Sequence, residues 1–143
     1  MAYDVFLKLA DITGESTDAK HKDEIDIESF QWGLSQTAAP IGGGGSAGKA
    51  SFQDFSFTAD ISRASPQLFL ACASGKHIDD GVITVRTAGN QVEYYTVTLS
   101  DCFVSLYNQA AVADGDRPMD EFALNYSKIE ITWTPAIKLK CQF

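Results

Sequence analysis

G-E-S-T-D-A-K-H-K-D-E-I-D-I-E-S-F-Q-W-G, residues Gly14 to Gly33, is the stretch on which the reading of this chain turns. It begins inside a polar run, Asp11 to Lys22, whose turn formers Asp11, Gly14, Ser16 and Asp18 predict a loop. The second half alternates. Over Glu24 to Leu34 an extended strand puts Ile25, Ile27, Ser29 and Gln31 on one side and Asp26, Glu28, Phe30 and Trp32 on the other. Neither face stays apolar to its end. That is the pattern of a strand lying between a core and a second surface.

Alternation recurs along the chain. Tyr3, Val5, Leu7 and Leu9 share one face of a strand over Tyr3 to Leu9. Phe55, Phe57, Ala59 and Ile61 do the same over Phe52 to Ile61. Val82 to Thr87 is a further strand, followed by a turn at Ala88-Gly89-Asn90. In Val92 to Tyr107 the large apolar residues change parity near Asp101, from Tyr95, Val97 and Leu99 to Cys102, Val104 and Leu106, which predicts a bulge or bend. After a loop from Gln109 to Pro118, Met119 to Thr134 changes parity again near Ser127-Lys128. Ser35 to Ala50 has no periodicity, and its glycines suit a long hairpin arm or a loop. One helix is expected, Pro66 to Ser74, with Ser65 as N-cap and Gly75 in the left-handed position after its end. Strands on both sides of one short helix predict a mainly β fold, a mostly antiparallel barrel or two packed sheets.

The chain has 143 residues, one domain by length, and a chain of this size buries roughly 70% of its unfolded surface. Nineteen acidic against 11 basic residues give a net charge of −8, which argues against nucleic acid as a partner. The odd set Cys72, Cys102 and Cys141 gives neither a disulfide framework nor a zinc motif, and free thiols in a reducing cytoplasm are expected. Asp4 interrupts the N-terminus, so a signal peptide is not expected. No stretch approaches the ~20 apolar residues of a membrane span.

Two constellations could carry chemistry. Gly43 to Ala50 approaches the phosphate-binding pattern G-x-x-x-x-G-K-[ST], but Ala50 stands where magnesium needs a hydroxyl, and the run leads into a strand pattern rather than a helix. His21, Asp23 and Glu24, with Asp18 nearby, are candidate metal ligands. Their place in the charged run K-H-K-D-E favours a solvated loop. His77 follows the helix and suits a local contact with its dipole. No catalytic residue, metal or cofactor is expected.

The Gly14 to Gly33 run is similar to the signature of the Hcp (hemolysin-coregulated protein) family, which forms the inner tube of type VI secretion machines. Other pieces follow in family order: the glycine run Gly42 to Lys49, F-Q-D-F-S-F-T-A at Phe52 to Ala59, S-P-Q-L-F-L-A-C-A-S-G-K-H at Ser65 to His77, and Gln91-Val92-Glu93-Tyr94. The resemblance spans about residues 2 to 134 and makes 1–143 a single tube domain. It implies a compact antiparallel β-barrel with a short helix, like phage tail tubes. It implies hexameric rings that stack, carry small effectors in the lumen, and meet a VgrG spike, a contractile sheath and baseplate proteins. It implies a protein that is cytoplasmic before firing and then secreted, without inserting in a membrane. Ser29 and Gln31 would face the lumen, where many relatives carry a small polar residue at the position of Gln31. Gly42, Gly43, Gly44, Gly45, Lys49, Phe52 and Trp32 would serve contacts between subunits or rings. The chain departs from the pattern after Thr134, where relatives continue with a polar segment and a last strand. The rival reading is a monomeric β-sandwich module that binds carbohydrate or protein.

Overall fold

The computed structural model describes residues 3–38, 47–115, 117–134 and 139–142. Gly42, Gly43, Gly44 and Gly45 lie outside the described residues. In chain order the elements are β1 Tyr3–Leu9, β2 Ile25–Asp26, β3 Ser29–Gln31, β4 Leu34–Ala38, β5 Ala47–Phe52, β6 Phe55–Asp60, α1 Ala64–Ser74, β7 Ile78–Thr87, β8 Glu93–Ala110, β9 Met119–Asn125, β10 Lys128–Trp133 and β11 Leu139–Gln142.

The described strand pairs are antiparallel. Apart from the separate β4–β5 pair, they form two packed sheets that share the long β8. The first sheet runs β2-β1-β7-β8-β10-β11, and the second runs β8-β9-β6-β3. The sharing explains the parity change near Asp101. β8 pairs with β7 as far as Cys102 and with β9 from Phe103 onward, and between them Asp101 takes a left-handed φ of 53°. A register shift between Val104 and Leu106 adds a bulge. The parity change near Ser127 has the same cause, because β9 belongs to the second sheet and β10 to the first.

The expected single strand from Glu24 to Leu34 is divided for the same reason. β2 pairs with β1, Ile27 donates its N–H to the Val5 carbonyl, Glu28 donates to Thr58, and β3 pairs with β6. One segment therefore leaves one sheet edge and joins the other. The hydrogen-bonded ladder itself does not run closed; its two ends are consecutive pieces of this segment. The crossing also changes which residues point inward. Ile25 and Ile27 are buried before it, and Phe30 and Trp32 pack on the core after it. The single face expected for Ile25, Ile27, Ser29 and Gln31 does not form.

The core lies between the sheets. Leu7, Ile83, Val97 and Leu99 come from the first sheet, and Phe55, Phe57, Phe122 and Leu124 from the second. Trp32, Phe55, Phe57 and Phe122 stack in succession at centroid distances of 5.7, 5.0 and 5.1 Å. Burying each such side chain contributes about 2–3 kcal/mol.

The helix begins two residues before the expected start. Arg63 occupies the N-cap, and Ser62 Oγ accepts from the Ala64 N–H at 3.2 Å. Ser65 is buried, and its hydroxyl donates to the Asp120 carboxylate instead of capping the helix. Asp120 is itself buried and also accepts from Tyr107 Oη at 2.9 Å and Gln109 Nε2 at 3.2 Å. A buried carboxylate without hydrogen bonds is costly, so it takes the serine. Gly75 closes the helix at φ 66°, and Lys76 N–H reaches the Ala71 carbonyl at 3.1 Å.

The aperiodic run after Leu34 contains a two-stranded arm in which β4 pairs with β5, Leu34 opposite Phe52. Between its apolar ends Leu34 and Phe52 the described part of the arm carries small and polar residues, and Phe52 packs on the core. Near the end of the chain, β11 pairs with β10, placing Cys141 opposite Ile131 and Gln142 opposite Glu130.

Candidate functional site

The outer face of the second sheet is a polar surface four strands wide. Its register puts Ser29, Thr58, Glu121 and Asn108 in one row across β3, β6, β9 and β8. Gln31, Ser56 and Ala123 make the next row. Both expected lumen residues, Ser29 and Gln31, are exposed on this face. The face is tied together internally. Ser29 Oγ and Thr58 Oγ1 lie 2.6 Å apart, and Asn108 Nδ2 donates to Glu121 at 3.3 Å. Asp54 accepts from Ser105 Oγ at 2.6 Å and from Asn125 Nδ2 at 2.9 Å. Thr58, Glu121 and Asn108 were not singled out from sequence. The alternation of Ser56 and Thr58 with Phe55 and Phe57 carried the signal for the first of them.

The residues expected at subunit or ring contacts are divided. Lys49 is exposed on β5 of the arm, and its carbonyl lies 3.5 Å from Thr37 Oγ1. Among the described residues of the glycine run, Lys49 lies inside a strand and not at a helix N-terminus. Trp32 and Phe52 are half-buried and packed on the core of their own chain, Trp32 against Phe55 and Phe52 edge-on to Tyr126 at 6.4 Å. Their remaining surface lines an apolar groove of about 410 Å³ under the arm, together with Leu34, Ala50, Ile129 and Ile131. Leu34 is 53% exposed.

The charged run around His21 is solvated only in part: Lys20, Lys22 and Asp23 are exposed, but His21 is covered. His21 is 7% exposed and stacks on Phe6, with Nδ1 3.0 Å from Glu24 and Nε2 3.0 Å from Glu93. The loop folds back over the outer face of the first sheet because Gly14 and Ser16 pair with Asp23 and Glu24 through backbone hydrogen bonds of 2.7 to 3.0 Å. A Cβ at Gly14 would collide with the Glu24 carbonyl, so the close approach requires glycine. Arg86, also buried, donates from Nη1 and Nη2 to Asp18 and from Nε to Asp4. Its guanidinium holds the Asp18 carboxyl below the usual carboxylate range. Of the candidate ligands, His21 and Glu24 are in contact, whereas Asp18 and Asp23 are drawn to arginines. Asp23 turns toward Arg63 at 4.0 Å, Asp18 toward Arg86, and Glu24 toward His21. Among the described residues no group of three or more His, Cys, Asp or Glu side chains converges as a metal site. His77 makes local contacts, at 3.1 Å to Asp101 and 3.4 Å to Asp79.

A shared long strand, a polar outer sheet face and a projecting arm can be compared with known proteins. Residues 6–133 match the family model described as type VI secretion system effector, Hcp. The chain belongs to the Hcp family. It is 41% identical over 138 residues to the protein hcp1 of Pseudomonas aeruginosa, covering 94% of this chain and 85% of that protein. The crystal structure of Hcp1 from Salmonella typhimurium superposes with a TM-score of 0.89 at 35% identity, over 100% of this chain and 95% of the other. A type VI secretion system effector from Yersinia pestis gives 0.84 at 29% identity, with 98% of each chain covered. The Hcp membership makes this chain a type VI secretion tube subunit with a mainly β fold. Among the described residues no helix is long and apolar enough to cross a membrane.

Proposed function

We propose that six copies of this chain close into a ring and that rings stack into the tube ejected by a type VI secretion machine. The observation that carries this reading is the outer face of the second sheet. A sheet face rich in hydroxyls, amides and carboxylates, with Gln31 and Ser29 at its edge, suits the wall of a water-filled channel. In the ring this face lines the lumen and holds small effectors by exchangeable hydrogen bonds. The arm around Lys49 and the groove beside Trp32 and Phe52 meet neighbouring subunits or rings. A heterologous contact repeated around the ring closes on itself and leaves no open end. The VgrG spike caps the tube, and sheath and baseplate proteins surround it. The role is structural, with no catalytic step. Negative-stain electron microscopy of the purified chain tests this. Annular particles with a stain-filled centre are expected; uniformly small, solid particles would contradict the reading.

A further inference from the structure

The proposed channel face has a one-sided charge pattern. The second sheet, made of β3, β6, Phe103–Ala110 of β8 and β9, contains no lysine or arginine. Glu121 stands exposed in the row that joins Ser29, Thr58 and Asn108. Asp54 lies beside the same face through its bonds to Ser105 and Asn125. Asp60, at the end of β6, is balanced by Arg117 at 2.8 Å. Among the described side chains the other basic residues are elsewhere: Lys8 and Arg86 on the first sheet, Lys20 and Lys22 in the loop after β1, Lys49 on the arm, Lys128 on β10, and Arg63 and Lys76 flanking α1. Glu121 and Asp54 do not converge on a point, so they make no ion site. They bias a broad hydrogen-bonding surface toward negative potential.

We infer that this face takes cationic polypeptide cargo, a protein or peptide whose contacting surface is rich in lysine and arginine. The inference rests on the channel reading and gives the chemical class of what the channel holds. A ring repeats Glu121 and Asp54 in every subunit around one space. Like charges on facing walls with low-dielectric protein behind them add their fields, which draws in opposite charge and excludes acidic surfaces. The hydroxyls and amides of Ser29, Gln31, Ser56, Thr58, Asn108 and Asn125 add hydrogen bonds. Phe103, 42% exposed and opposite Asn125, and Leu106, 41% exposed, are large apolar exceptions at this face. Attraction of this kind holds cargo without the extensive apolar burial that would oppose its release.

The test uses the full chain, with a fluorescein-labelled oligolysine peptide and an oligoglutamate peptide as probes. Anisotropy is read at low salt and at about 1 M salt, where the screening length falls to roughly 3 Å. The ring should bind oligolysine, lose it at high salt, and ignore oligoglutamate. Glu121→Gln keeps an acceptor for Asn108 and should weaken oligolysine binding at least about tenfold, since every subunit changes together. Asp79→Asn removes the same charge away from the face and should leave binding within about twofold. Gln31→Lys, at an exposed position without core contacts, should abolish oligolysine binding. Binding unchanged in both Glu121→Gln and Gln31→Lys, or weakened equally by Asp79→Asn, overturns the inference. Native mass is measured on every variant. An intact ring that ignores oligolysine defeats the inference alone, whereas a chain that never assembles defeats the channel reading.

Discussion

His21 lies flat on Phe6, with ring centroids 4.5 Å apart and planes only 9° from parallel. The contact joins the loop after β1 to the outer face of the first sheet. Phe6 is large, apolar and on the solvent side of its strand, and this stack is one reason it is 4% exposed. With carboxylates 3.0 Å from both ring nitrogens, the imidazole donates to both only when it carries both protons. His21→Ala would remove the stack and both polar contacts, and leave Glu24 largely covered without that partner. We expect a loss of about 2–3 kcal/mol in urea unfolding, in the range of a disrupted buried network. A change within experimental error would mean that the His21 contacts contribute nothing to folding.

Arg86 and Asp18 form a second clamp on the same loop. Arg86→Met should cost about 3–5 kcal/mol, because it leaves carboxylates without their cation. The pH dependence has a definite sign. Asp18 has a folded pKa below its ordinary value, so its stabilising contribution is complete above the usual carboxylate range and is lost as pH falls through that range toward the depressed value. Asp18→Asn should therefore lower the melting temperature at neutral pH and flatten its decline in acid. An unchanged acid limb would contradict the assignment.

The three thiols should differ in reactivity. Cys141 is exposed, Cys72 is partly covered on α1, and Cys102 is buried with its thiol pushed up to about 12 by burial and, to a lesser extent, by Asp101 and Asp80. Mass-resolved alkylation at neutral pH should label Cys141 first, then Cys72, and Cys102 only on unfolding. A Cys102 that reacts as fast as Cys141 in the folded protein would contradict the packing of β8 against β7.

Much of this fold was legible in the sequence. Tyr3–Leu9 alternates and becomes a strand over those residues. The parity changes near Asp101 and Ser127 mark the places where the chain passes from one sheet to the other. The same signal was present between Ile27 and Phe30, but Ser29 and Gln31 continued the odd-numbered pattern and hid the crossing. Ser65 looked like a helix cap because its rival, the buried carboxylate of Asp120, lies 55 residues away. His21 looked solvated because Phe6 and Glu93, which enclose it, are also distant in sequence. For the candidate face, alternation located Ser29 and Gln31, whereas the row to Glu121 and Asn108 depends on register across four strands. Local pattern cannot fix that register.

Gln31→Trp tests the orientation of β3. The side chain is exposed and opposite Ser56, so the larger ring needs no core volume. Melting temperature should stay within a few degrees of the parent, as for most exposed substitutions. Ring mass should be kept, while effectors co-purified from the native cell should fall through crowding and loss of amide hydrogen bonds. A variant that unfolds would place Gln31 in the core, and undiminished cargo would place the cargo site elsewhere.

A closed ring has a defined mass, which native mass spectrometry of the purified protein at micromolar concentration reads without labels or partners. A single dominant species at six times the 15.5 kDa chain mass is the predicted result. A strict monomer that persists at high micromolar concentration would rule out the ring.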